Sequence, residues 1–189
     1  MSRIRKAFDN KKAFIAFVTG GDPDLGTTEA LIPQMAAAGA DLIEIGIPFS
    51  DPIAEGIVIQ AADERALKAG TTTDKLFDMV KRVRAKVDVP LVFMTYINPV
   101  YTYGTERFAK RCAECGIDGI IVPDVPFEEK EEVNGACEAA GIELISMIAP
   151  TSKERIDMIA RQAKGFLYCV SSLGVTGVRS SITTNIKEM

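Results

Sequence analysis

At 189 residues, with 47% apolar and 25% charged residues, the chain is long enough for one buried core, and its composition excludes disorder. The formal net charge of -4, with Lys and Arg scattered along the helical stretches, argues against nucleic acid as a partner. No apolar run reaches the roughly 18 to 20 residues of a bilayer span, and the amino terminus has no apolar h-region, so the expected location is the cytoplasm, with no membrane partner.

In chain order, short apolar runs predict strands over residues 13–18, 41–46, 90–95, 119–122, 143–148 and 166–170. Most are continuous instead of alternating, as in strands of a parallel sheet covered by helices on its faces. Amphipathic stretches between them predict helices over 27–38, 73–86, 105–115, 127–140 and 153–163, with Thr72 or Thr73 and Ser152 as caps. Pro33 is expected to kink the first of these. A junction recurs in which a helix ends at glycine and a strand follows, at Gly39, Gly116, Gly141 and Gly165. The last three glycines are spaced by 25 and 24 residues, the length of one strand, loop and helix, so the fold class is α/β.

An open doubly wound sheet and a (β/α)₈ TIM barrel both fit that alternation. GGDPD after the first strand lacks the spacing of a dinucleotide fingerprint, whereas polar segments gather after several strands, where barrel enzymes carry their chemistry. The barrel is therefore expected.

Cys112 and Cys115 form a CxxC pair, yet there is no second pair and no histidine, so no metal site is expected, and Cys112, Cys115, Cys137 and Cys169 read as small packed side chains. Glu44 interrupts the apolar run LIEIGIP, where an ionised carboxylate is costly unless it is paired or functional. Partial burial would raise its pKa and suit it to general acid and base work. Glu55, in the loop DPIAEG, is a second acid that could fold into the same pocket. Asp22, Asp51 and Asp124, each in a proline-bearing turn, read first as turn formers. No lysine ends a strand, which argues against a Schiff-base aldolase; the amides of GVTG could hold a phosphate.

The strings FVTGGDP, ADLIEIGIPFSDPIAEG, MTYINPVYTYG, GIIVPDVPFEE and SSLGVTGVR resemble, in order and spacing, the signature segments of tryptophan synthase α chains. The resemblance implies a (β/α)₈ barrel lyase of tryptophan biosynthesis that cleaves indole-3-glycerol phosphate to indole and glyceraldehyde 3-phosphate. It implies no cofactor in this chain and, as partner, a pyridoxal-phosphate-bearing β subunit in an α₂β₂ complex. By position, Glu44 resembles the family's principal acid and base, and Glu55 stands where the family has the aspartate at the indole nitrogen. Tyr168 resembles a pocket tyrosine, Thr176 a mobile-loop threonine and Gly177 a phosphate contact. Phe17, Ile59, Phe93 and Ile121 are similar to apolar positions around the indole, and Asp51, Asn98 and Pro99 to the face that docks the β subunit.

Two departures qualify the likeness. AEGI replaces the family's ADGP, lengthening the acid by one methylene and predicting a weakened indole contact. Against a typical barrel of about 250 residues, the chain is expected to be a single partial barrel domain over 1–189, about six βα units, lacking the last two with their phosphate loops. The alternative expectation is an impaired chain that only docks on the β subunit.

Overall fold

The computed structural model describes residues 2–150, 153–170 and 177. Five parallel strands, β1 (Ile15–Thr19), β2 (Leu42–Gly46), β3 (Leu91–Met94), β4 (Gly119–Ile121) and β5 (Glu143–Leu144), pair in chain order. A further parallel pair joins β6 (Ser146–Ile148) to β7 (Leu167–Cys169). The strand expected over 143–148 is thus divided at Ile145, whose N–H still donates to the Ile120 carbonyl at 2.9 Å. Its first half pairs with β4 and its second with β7, the stagger that a curving barrel sheet imposes on successive strands.

Helices connect the strands: α1 (Arg3–Ala7), α2 (Leu25–Ala37), α3 (Ile57–Lys68), α4 (Thr73–Arg84), α5 (Ile97–Tyr103), α6 (Thr105–Cys115), α7 (Glu131–Ala140) and α8 (Lys153–Gln162). Thr72 caps α4 by accepting from the Lys75 N–H at 3.3 Å, as expected, whereas Ser152 lies outside the described residues. Asp24 caps α2, so that helix starts before Thr27, and it runs unbroken through Pro33. Helices α1, α3 and α5 were not expected from the sequence. Cys112, Cys115 and Cys137 are buried free thiols in or beside the core, in keeping with packed cysteines. Among the described residues no helix is long and apolar enough to cross a membrane.

Side chains alternate across a strand, so each strand feeds two cores. Ile43, Ile45, Leu91, Phe93 and Ile120 face outward and pack with Leu76, Phe77, Met79 and Phe108 of the helix layer. Ile15, Leu42, Val92, Ile121, Ile145 and Tyr168 face the concave interior. There Ile4 and Phe8, from α1 and its end, close the amino-terminal end of the strands, Phe8 meeting Phe166 at 5.3 Å. Gly119 makes room for this plug, since a Cβ there would stand 3.0 Å from Ile4 Cδ1 and 2.8 Å from the Glu143 carbonyl.

Candidate active site

Register fixes what surrounds Glu44. It sits at the centre of β2, opposite Phe17 on β1 and Val92 on β3, on the interior face. Only 4% of it is exposed, and burial alone pushes its carboxyl up to about 7. A group half-protonated near neutrality can give and take a proton in one cycle. Phe17 covers the same face: a Cβ at Gly46, two residues beyond Glu44, would lie 2.7 Å from its ring, so the glycine is what admits the ring beside the acid. Tyr168 is half-buried on the same face, and its phenol is pushed up first by burial and then by the charge of Glu44. Ile121 is fully buried there too.

Phe93 does not join them. Because Glu44 is in register with Val92, the side chains that share its face on β3 are Val92 and Met94, and Phe93 points to the helices, edge-on to Phe77 at 5.7 Å. A shift of one residue exchanges the faces of a strand, so Phe93 lies on the face opposite Glu44. Ile59 is half-buried in the first turn of α3, outside the interior apolar cluster. Thr176 lies outside the described residues, and Gly177 is exposed.

The segment between β2 and α3 carries Glu55 half-buried. Tyr96, buried just before α5, donates its hydroxyl to the Glu55 carboxylate and accepts the Ala54 N–H at 3.0 Å. Gln60 donates to the Glu55 carbonyl at 2.8 Å, fixing the main chain as well. The Tyr96 ring rests on Phe49 at 5.6 Å, and burial pushes the phenol pKa up, so the hydroxyl stays a donor.

A third acid escaped the sequence reading. Asp63 on α3 is 6% exposed, and burial, then the charges of Glu55 and Asp22, push its carboxyl up to about 7, against a stabilising bond from the Phe49 N–H. The available signal was Ala62, Asp63 and Ala66, a small-residue face at helical spacing with an acid in it. The three turn-forming aspartates have structural duties. Asp22 takes two bonds from Arg65 at 2.7 and 2.8 Å. Asp124 accepts the Ile97 N–H at 3.0 Å, capping α5 from the neighbouring loop. Asp51 is exposed and accepts from Ser50. Asn98 is exposed and Pro99 half-buried, both in the first turn of α5. No group of three or more potential metal ligands occurs among the described residues.

The family model for the tryptophan synthase alpha chain matches residues 4–189. A tryptophan synthase alpha chain from Caldanaerobacter subterraneus is 47% identical over 193 aligned positions, covering 100% of this chain and 74% of the relative. The structure of Mycobacterium tuberculosis tryptophan synthase superposes with a TM-score of 0.87 at 34% identity, over 95% of this chain and 72% of that one. A tryptophan synthase complex from Pyrococcus furiosus superposes with a TM-score of 0.79 at 37% identity, over 83% and 65%.

Proposed function

Because the chain belongs to the tryptophan synthase alpha chain family, we propose that it cleaves indole-3-glycerol phosphate to indole and glyceraldehyde 3-phosphate, with Glu44 moving the protons. The observation that carries this reading is a carboxyl with a pKa of about 7, buried on the interior face between Phe17 and Val92. As the neutral acid, Glu44 protonates the ring carbon that bears the glycerol chain. As the carboxylate, it then takes the proton of the adjacent side-chain hydroxyl. The carbon–carbon bond breaks, its electron pair returns to the ring, and the hydroxyl carbon becomes the aldehyde. Every proton is accounted for by one group that cycles between two states.

Glu55 accepts the indole N–H and steadies the positive charge that ring protonation creates. Phe17, Ile121 and Tyr168, with Met94 in place of Phe93, flank the ring, and Ile59 sits at its outer edge. Thr176, outside the described residues, takes the part of positioning the acid at 55, and the Gly177 amide that of contacting the phosphate. No cofactor enters this chemistry; the pyridoxal phosphate of the family resides in the β subunit. Asp51, Asn98 and Pro99 form the face that receives that subunit, a reading supported by their exposed or half-buried position beside the Glu55 segment and α5 and by the likeness to the Pyrococcus furiosus complex. We place the protein in the cytoplasm, where a biosynthetic lyase of this kind meets its substrate.

The test is release of indole from indole-3-glycerol phosphate by the chain and by Glu44→Gln. Loss of at least about a hundredfold in the variant is expected. Equal turnover by both would remove Glu44 from the mechanism.

A further inference from the structure

Helix α5 begins without a cap of its own. Tyr96 occupies the cap position but sends its hydroxyl elsewhere, and Pro99, in the first turn, has no N–H. The leading donor, the Ile97 N–H, is taken by Asp124 from the segment after β4, whose two carboxylate oxygens lie at 3.0 and 3.2 Å. Asp124 is itself presented by a turn closed by the Val125 N–H on the Val122 carbonyl at 3.3 Å. On the other side of Tyr96, the Thr95 N–H donates to the Ile121 carbonyl at 3.0 Å. The Tyr96 main chain is thus fixed from both sides by β4 and the segment that follows it.

That main chain carries the ring that holds Glu55. Tyr96 is 4% exposed, its ring rests on Phe49, and its hydroxyl donates to the Glu55 carboxylate while accepting the Ala54 N–H at 3.0 Å. A continuous path therefore runs from Asp124 through the Ile97 amide and the Tyr96 side chain to Glu55. Without an acceptor at Asp124 the half-buried Ile97 N–H loses its partner, and any shift of the helix start to recover one swings the ring of the residue before it. A misplacement of about 1 Å at a group that meets the substrate can cost around a hundredfold in rate.

We propose that Asp124 is a positioning residue for Glu55, acting through the Ile97 amide and the Tyr96 hydroxyl. This rests on the lyase reading for the role of Glu55. It gives a turn-forming aspartate on β4's outgoing segment a part in the indole contact made by the segment after β2.

The experiment is carboxyl-carbon NMR of the full chain labelled at glutamate, with the Glu55 resonance assigned by its disappearance in Glu55→Gln. Tyr96→Phe should displace that resonance, and Asp124→Ala should reproduce at least about half of the displacement, while the two changes together should displace it little further than Tyr96→Phe alone. Asp124→Asn keeps an acceptor for the Ile97 N–H and should leave the resonance near its parent position. Asp124→Gln, whose longer side chain misplaces the acceptor, gives the same readout should the alanine variant not fold. A Glu55 resonance that Tyr96→Phe does not move, or that neither Asp124→Ala nor Asp124→Gln moves, overturns the proposal. In turnover, Asp124→Ala should lower kcat at least about tenfold in the parent background and less than about twofold in Tyr96→Phe, because the route is already cut there. Losses that multiply in the double variant overturn the route through Tyr96. The spectra need no substrate, so a chain that shows the coupled resonance but does not release indole overturns the lyase reading instead.

Discussion

Glu44 on β2 and Tyr168 on β7 lie within electrostatic reach across the interior of the barrel sheet, with the carboxylate raising the phenol pKa. The two strands do not pair with each other, so the charge acts across the interior and not along a strand ladder. Glu44→Gln should lower the ionisation midpoint of Tyr168, read as phenolate absorbance in a Tyr168→Phe difference titration. A midpoint unchanged by the substitution would mean that the two groups are screened from each other and that the phenol responds to burial alone.

Stability should respond to the same burial. The folded-state pKa values of Glu44 and Asp63 are raised, to about 7 each from 4.5 and 3.8, so the folded chain holds protons that the unfolded chain has released. The stability they contribute is full below the unfolded values and is lost as pH rises through about 7. Denaturant midpoints should therefore fall between mildly acidic and mildly alkaline buffer. Glu44→Gln should recover on the order of 2 kcal/mol of that loss at the alkaline end. If the variant loses stability over this interval in parallel with the parent, Glu44 ionises freely in the folded state.

How much of this was legible depended on whether the cause was local. The strands could be read because burial on both faces writes a continuous apolar run, and Glu44 stood out as the exception within one. Helix α3 could not, because Gly56 caps it without a side chain and its first residues, Ile57 and Val58, are 83% and 71% exposed. With α3 unread, the burial of Asp63 was missed too, although Ala62 and Ala66 stand beside it at helical spacing. Helix α5 has no local cap either: its first N–H is taken by Asp124, distant in sequence, and Asn98-Pro99 looks like a turn. The division of the strand over 143–148 follows from the stagger between its two neighbours, which no segment encodes alone.

The exchange of Phe93 for Met94 can be tested by where each substitution acts. Phe93 is fully buried between β3 and Phe77, so Phe93→Ala should cost about 3 to 5 kcal/mol of stability through the cavity it leaves. KM for indole-3-glycerol phosphate should be nearly unchanged in whatever fraction folds. Met94 is half-buried on the Glu44 face, so Met94→Ala should raise KM severalfold at a smaller cost in stability. The reverse pattern of KM effects would restore Phe93 to the pocket.

At the opposite end of the strands, a set of polar groups serves packing. Arg84, in the last turn of α4, donates to the carbonyls of Val87 and Val89 at 2.6 Å each and to Asp118 at 3.0 Å. Asp118 in turn accepts the Leu91 N–H and the Arg3 guanidinium, each at 3.0 Å, so one partly buried pair ties α1, α4 and the start of β3 together. Removing the cation leaves a mostly buried carboxylate with only the Leu91 N–H and an exposed cation, and strands the carbonyls of Val87, Val89 and Gly116. Arg84→Met should therefore cost about 3 kcal/mol or more, measured as a lower denaturant midpoint at an unchanged slope. Arg3→Met, which removes the exposed member, should cost less than about 1 kcal/mol. Because neither residue approaches the Glu44 face, both variants should keep the parent KM at a temperature where they are folded. A raised KM in Arg84→Met alone would show that the two ends of the sheet are mechanically coupled through β3.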